Sequence, residues 1–185
     1  MLDARGTDSE GVKDPVVLLR DGLTHLFAGY APHAGVQAEV GTADLHGTGN
    51  VFTTGLVAHP TGHWVAPNGR DFSSRRDILS PGSGWDSNVA RLSAIMPIEQ
   101  GYLLFYDGRT GIGDVYEDRT GLAFSPDLSD AQPLSGDAPI LAGDAGTGCL
   151  RYLAYARVGE ELLYYYETGT AAGAHELRLS RVPAR

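Results

Sequence analysis

The chain has 185 residues, is 42% hydrophobic and 20% charged, and carries a formal net charge of −9, enough length for one domain with a real core. An acidic balance of this size argues against a phosphate-binding surface for nucleic acid and against anionic membranes, while a neutral or cationic small ligand remains compatible. The single cysteine, Cys149, excludes an intrachain disulfide and reads as a small packed residue rather than a nucleophile.

Residues 1–15 are polar and lack the apolar stretch of a secretory signal. With no disulfide, this fits a reducing compartment such as the cytoplasm, and also a disulfide-free secreted protein. The first structured segment, Val16 to Tyr30, reads as a hairpin turning at Arg20-Asp21-Gly22. A third strand is predicted over 36–47 and an outer strand over 55–60. A second hairpin runs from Ser93 to Gly108 and turns at Glu99-Gln100-Gly101. Its predicted third strand covers 119–130 and its outer strand 139–143. The third hairpin, Leu153 to Glu167, turns at Val158-Gly159-Glu160 and is followed by a strand over 175–182. Thr42-Ala43-Asp44-Leu45 and Ser125-Pro126-Asp127-Leu128 share a pattern at the tail of the first two third strands. No segment sustains helical periodicity.

The unit therefore recurs after roughly 60 to 80 residues. The predicted fold class is all-β: one partial β-propeller domain over 1–185, with about three four-stranded blades at approximately 10–80, 81–144 and 145–185. An ordinary β-sandwich built of hairpins is the alternative.

Three stretches carry a family resemblance: Lys13-Asp14-Pro15 followed by Asp21-Gly22, the strand Gly101 to Gly108, and Gly121 to Leu128. With Trp85-Asp86-Ser87, they resemble the five-bladed β-propeller glycoside hydrolase superfamily of arabinanases, β-xylosidases, invertases and levansucrases, which includes glycoside hydrolase family 43. The resemblance implies five blades where three are counted. It therefore implies that one or two N-terminal blades are missing or are supplied by another chain. It also implies a carbohydrate substrate and catalytic carboxylates spread over several blades.

Glycoside hydrolysis needs two carboxyl groups across the scissile bond, one an acid and the other a base or nucleophile. In a propeller, residues at the start of inner strands reach the axial funnel. The catalytic candidates are accordingly Glu10 as acid, Asp14 as base or pKa modulator, and Asp86. Trp85 offers an aromatic platform beside Asp86, and Arg91 can hold a carboxylate ionised. Asp107, Arg109 and Arg151 complete the substrate-binding set, although Asp107-Gly108 also reads as a turn and Tyr152 as packing. Glu117, Asp118 and Arg119 read as a solvated cluster. His33, His46, His59, His63 and His175 show no ligand spacing, so no metal or other cofactor is expected, a single axial ion aside. Three functions follow: a glycosidase, inverting by preference; a non-catalytic carbohydrate-binding or structural propeller; or an open fragment inactive alone, whose strand edges pair with another chain.

Overall fold

The computed structural model describes residues 2, 5–34, 36 and 40–184. Among these, nearly all regular structure is β, in three antiparallel sheets. The first sheet takes β1 (Ser9–Arg20), β2 (Leu23–Pro32), β3 (Thr61–Ala66) and β4 (Ser73–Leu79) in chain order. The second takes β5 (Val89–Ile98), β6 (Gly101–Arg109), β7 (Arg119–Ser125) and the short β8 (Gln132–Pro133). The third holds β9 (Leu150–Val158), β10 (Glu161–Gly169) and β11 (His175–Pro183). In each, the chain steps from the first strand outward. β5 packs against β1 and β2, and β9 packs against β5, β6 and β7, so the three first strands lie side by side. This is a partial β-propeller.

The predicted hairpins form β1–β2, β5–β6 and β9–β10. The first turns at Asp21 (φ 52°) and Gly22 (φ 73°), two left-handed residues whose twist matches the flanking strands. Two apolar layers join the sheets. Phe27, Ile78, Trp85, Leu92, Leu104 and Tyr106 fill the space between the first two. Ala94, Phe105 and Leu153, flanked by Tyr155 and Tyr164, fill the space between the last two. Each large side chain so buried contributes about 1.5–3 kcal/mol.

The outer strands differ from expectation. Of the third strand predicted over 36–47, residues 37–39 lie outside the described residues, and 40–47 do not form a strand. The Asp44 carboxylate accepts from the Gly41 backbone N–H at 2.8 Å and starts a short helix, α1 (Thr42–Gly47). Leu45 packs from that helix into a satellite cluster with Ala31, Val51 and Val57. The third and fourth strands are instead β3 and β4. The look-alike Ser125-Pro126-Asp127-Leu128 does a different job, because Ser125 Oγ accepts the Leu128 N–H at 2.9 Å and ends β7 in a turn. Likewise, the segment 139–143 is not the fourth strand of the second sheet, which is β8. Leu141 makes an isolated bridge to Thr120 at the opposite end of β7.

Candidate functional site

Each first strand is irregular at the same level. The register breaks between Lys13 and Val16 in β1, between Leu92 and Ala94 in β5, and opposite Tyr165–Glu167 in β9. Bulges of this kind re-aim side chains. Asp14 and Tyr152 sit at two of them, each with φ 54°. Asp14 therefore does not mark an extended strand start before Pro15. It lies inside β1 in the left-handed conformation, which aspartate tolerates better than most residues.

The bulges frame a cleft of about 200 Å³ lined by Asp14, Pro15, Val16, Arg91, Leu92, Ser93 and Tyr152, drawn from all three first strands. Asp14 is the carboxylate among these residues, and its side chain is 32% exposed. Arg91 Nη1 reaches it at 3.2 Å and Lys13 Nζ at 3.5 Å. Tyr152 is 42% exposed, with the Arg91 guanidinium 4.4 Å from its ring centroid.

Beneath the cleft lies a buried charge network. Arg91 Nη2 donates to Asp107 at 2.9 Å and approaches Asp118 at 3.5 Å. Asp118 also receives Arg109 at 3.3 Å and lies 3.5 Å from Arg151 Nη1, while Arg151 Nη2 holds Glu167 at 2.5 Å. The backbone N–H of Tyr152 donates to Asp107 at 3.1 Å, which couples the network to the cleft wall. Burial alone would lower the Arg91 pKa, but Asp107 and Asp118 outweigh it and hold Arg91 charged well above its ordinary value. Burial pushes Asp107 up to about 6 against the pull of Arg91, with Asp118 adding to the rise.

The remaining candidates lie elsewhere. Glu10 is held by His46 at 3.0 Å and faces His33 at 3.7 Å. Asp86 accepts from the Tyr106 hydroxyl at 2.9 Å. Burial and the Asp86 charge raise the Tyr106 pKa, so the phenol stays the donor. Trp85 is 8% exposed and stacks on Tyr106 with ring centroids 5.7 Å apart, inside the core of the sheet stack. The structure thus gathers Asp14, Arg91, Asp107, Arg109 and Arg151 at one place. Glu10, Asp86 and Trp85 have partners outside that group.

Two corrections concern local reading. Asp107 is in mid-strand and fully buried, not in a turn. Asp118 is 1% exposed at the hub of three arginines, not solvated. The signal for Asp118 is the apolar strand that follows it, which draws the preceding residue inside.

No family model and no curated protein matches the sequence. Solved structures do. A family 117 glycoside hydrolase, Zg3597, from the marine bacterium Zobellia galactanivorans superposes with a TM-score of 0.71 at 9% identity, over 98% of this chain and 55% of that one. A thermostable family-43 glycoside hydrolase gives 0.64 at 13% identity, over 92% and 54%. A β-1,2-mannobiose phosphorylase from Listeria innocua, in complex with β-1,2-mannobiose, gives 0.58 at 17% identity, over 95% and 45%. The chain spans about half the length of these structures. Its three sheets share the β-propeller fold of these solved structures.

Proposed function

We propose that the protein acts on glycosidic bonds of oligo- or polysaccharides, with a sugar unit in the cleft between the three first strands. The observation that carries this reading is the pairing of Asp14 with Tyr152 across that cleft. One offers carboxylate oxygens to hydroxyls and the other part of an aromatic ring for a sugar's C–H face. Asp14 acts as base or pKa modulator, with the Arg91 guanidinium 3.2 Å from its carboxylate to orient it. Glu10, earlier on the same strand, is the acid of the pair, with His33 and His46 positioning its carboxyl. Arg91, Asp107, Arg109 and Arg151 position the cleft wall from below, and Asp86 with Trp85 shapes the second sheet.

The test is reducing-sugar release from arabino- and xylo-oligosaccharides by the protein, together with calorimetric binding of the same sugars. Asp14→Asn is expected to lower release by roughly 10²–10⁴-fold, the usual worth of a positioned acid or base. Full activity in Glu10→Gln would remove Glu10 from the acid role.

A second reading is a propeller that binds sugar without cutting it. It is favoured by the partners of Asp86, and by Asp14 being the one carboxylate among the cleft-lining residues, since hydrolysis needs two carboxyl groups about 5–9.5 Å apart. Binding without release would establish it, and an absence of both would reject the cleft as a sugar site.

A further inference from the structure

Three residues far apart in the chain meet beside the buried charge network. Glu117 stands just before β7, Cys149 just before β9, and His175 opens β11. One donor atom from each, a carboxylate oxygen, the Sγ and an imidazole nitrogen, lies within 4.8 Å of the other two. His175 Nε2 is 3.3 Å from Glu117 Oε1. Cys149 is fully buried, and its thiol meets the Tyr116 carbonyl at 3.5 Å, a weak contact for a sulfur donor.

Thiolate, imidazole and carboxylate together form a borderline-soft donor set. It suits zinc-class ions and disfavours calcium and magnesium, which prefer all-oxygen sites. Metal–ligand bonds of about 2.0–2.3 Å place neighbouring donors of a tetrahedral ion roughly 3.3–3.8 Å apart. The His175–Glu117 pair already meets that spacing. The widest gap in the cluster closes with a shift of about 1 Å.

We propose that Glu117, Cys149 and His175 form a three-ligand site for a zinc-class divalent cation, with water in the fourth position. The ion would tie the starts of β7, β9 and β11 together. It would thereby lock the third sheet, which has three strands, onto the second. This inference does not depend on the carbohydrate reading. Sequence spacing hides the site because no two of its ligands are near neighbours in the chain.

The test uses the reduced protein after chelator treatment. It is titrated with Zn²⁺ against a chromophoric chelator, and with Co²⁺ while the near-ultraviolet spectrum is recorded. One equivalent per chain is expected, with a thiolate-to-cobalt charge-transfer band and a thermal midpoint that rises with Zn²⁺ and not with Ca²⁺ or Mg²⁺. Cys149→Ser should lose the band. His175→Ala and Glu117→Gln should weaken Zn²⁺ binding by at least the roughly 10–100-fold that loss of a mere outer-shell partner costs. Melting each variant in chelator separates a folding defect from a binding defect, and His175, at the edge of its sheet, is the variant that leaves the core intact. Substoichiometric binding, a missing charge-transfer band in the unaltered protein, or unchanged affinity in His175→Ala would overturn the site.

Discussion

The boundary between the first and second sheets and the boundary between the second and third use one backbone device with opposite chemistry inside it. Lys13 pairs across to Gly29 and Thr61, Arg91 to Asp107 and Thr120, and Arg151 to Glu167 and Leu177, so the three rows are equivalent. At the first boundary Thr61 Oγ1 donates to the Ala90 carbonyl at 2.7 Å and accepts from the Leu92 N–H at 2.9 Å. At the second, Thr120 Oγ1 donates to the Leu150 carbonyl at 2.8 Å. Two residues before each threonine stands a side chain that enters the boundary: His59 in one case, Asp118 in the other. Burial, reinforced by Arg109 and Lys13, drops His59 to about 3, so it is neutral. Asp118 lies buried within 3.5 Å of three arginines. The hydroxyl clamp sets the geometry, and the side chain beside it is a neutral imidazole at one boundary and the hub of three arginines at the other.

The sharpest way to break this contrast is Arg91→Ala. It leaves Asp107 buried without the arginine it pairs with and Asp118 with two of its three, and removing one partner of a buried pair costs about 3–5 kcal/mol. Urea denaturation measures it, and a loss below about 1 kcal/mol would make the second boundary no more ionic than the first.

The next largest effect is acid sensitivity at the first boundary. The folded pKa of His59 lies below its unfolded value of 6.5, so its contribution is fully present above pH 6.5 and is lost as pH falls toward 3. Each pKa unit is worth about 1.4 kcal/mol. His63, lowered to about 4 by burial and by His25, acts in the same direction. His59→Leu should flatten the fall in urea midpoint between pH 6.5 and 4 while leaving stability at pH 7.5 nearly unchanged. An unaltered slope would show that the ring is not the titrating group.

Asp107 should give the opposite slope. Its folded pKa of about 6 exceeds the ordinary 3.8, so the folded protein binds the extra proton. Its contribution is present below pH 3.8 and is lost as pH rises through 6. Asp107→Asn should remove a component of stability that rises as pH drops from 6 to 4, which the difference between variant and parent curves isolates.

The smallest effect compares the clamps. Thr61→Val strands a carbonyl and an N–H, Thr120→Val a carbonyl. With about 1–3 kcal/mol for a stranded buried polar group, Thr61→Val should be the more costly of the two. Equal losses would mean that the two clamps share one geometry.

The three hairpins were legible because alternation and turn chemistry are local. Asp21-Gly22 announces a left-handed turn without reference to anything else. β3 was not legible, since Gly62 removes a side chain from the strand's alternating pattern. In the fold, a Cβ at Gly62 would come within 2.5 Å of the Trp64 ring, so the glycine makes room for the next aromatic on its own face. Of the candidate site, Asp14 and Arg91 were visible through their place beside first strands. The left-handed turn at Asp14 was not, because it comes from a register break against β2. Asp118 was missed because a run of three charges resembles solvent-facing chain until the partner arginines arrive from β5, β6 and β9.

Leu177 fills the row position where the first two sheets present a clamping threonine, and it is 75% exposed beside Leu179 at 41%. A methyl-ended side chain cannot hold a neighbour's carbonyl at a fixed distance. The two seams between the sheets each carry that clamp, and the outer edge of the third sheet carries an exposed leucine pair in its place.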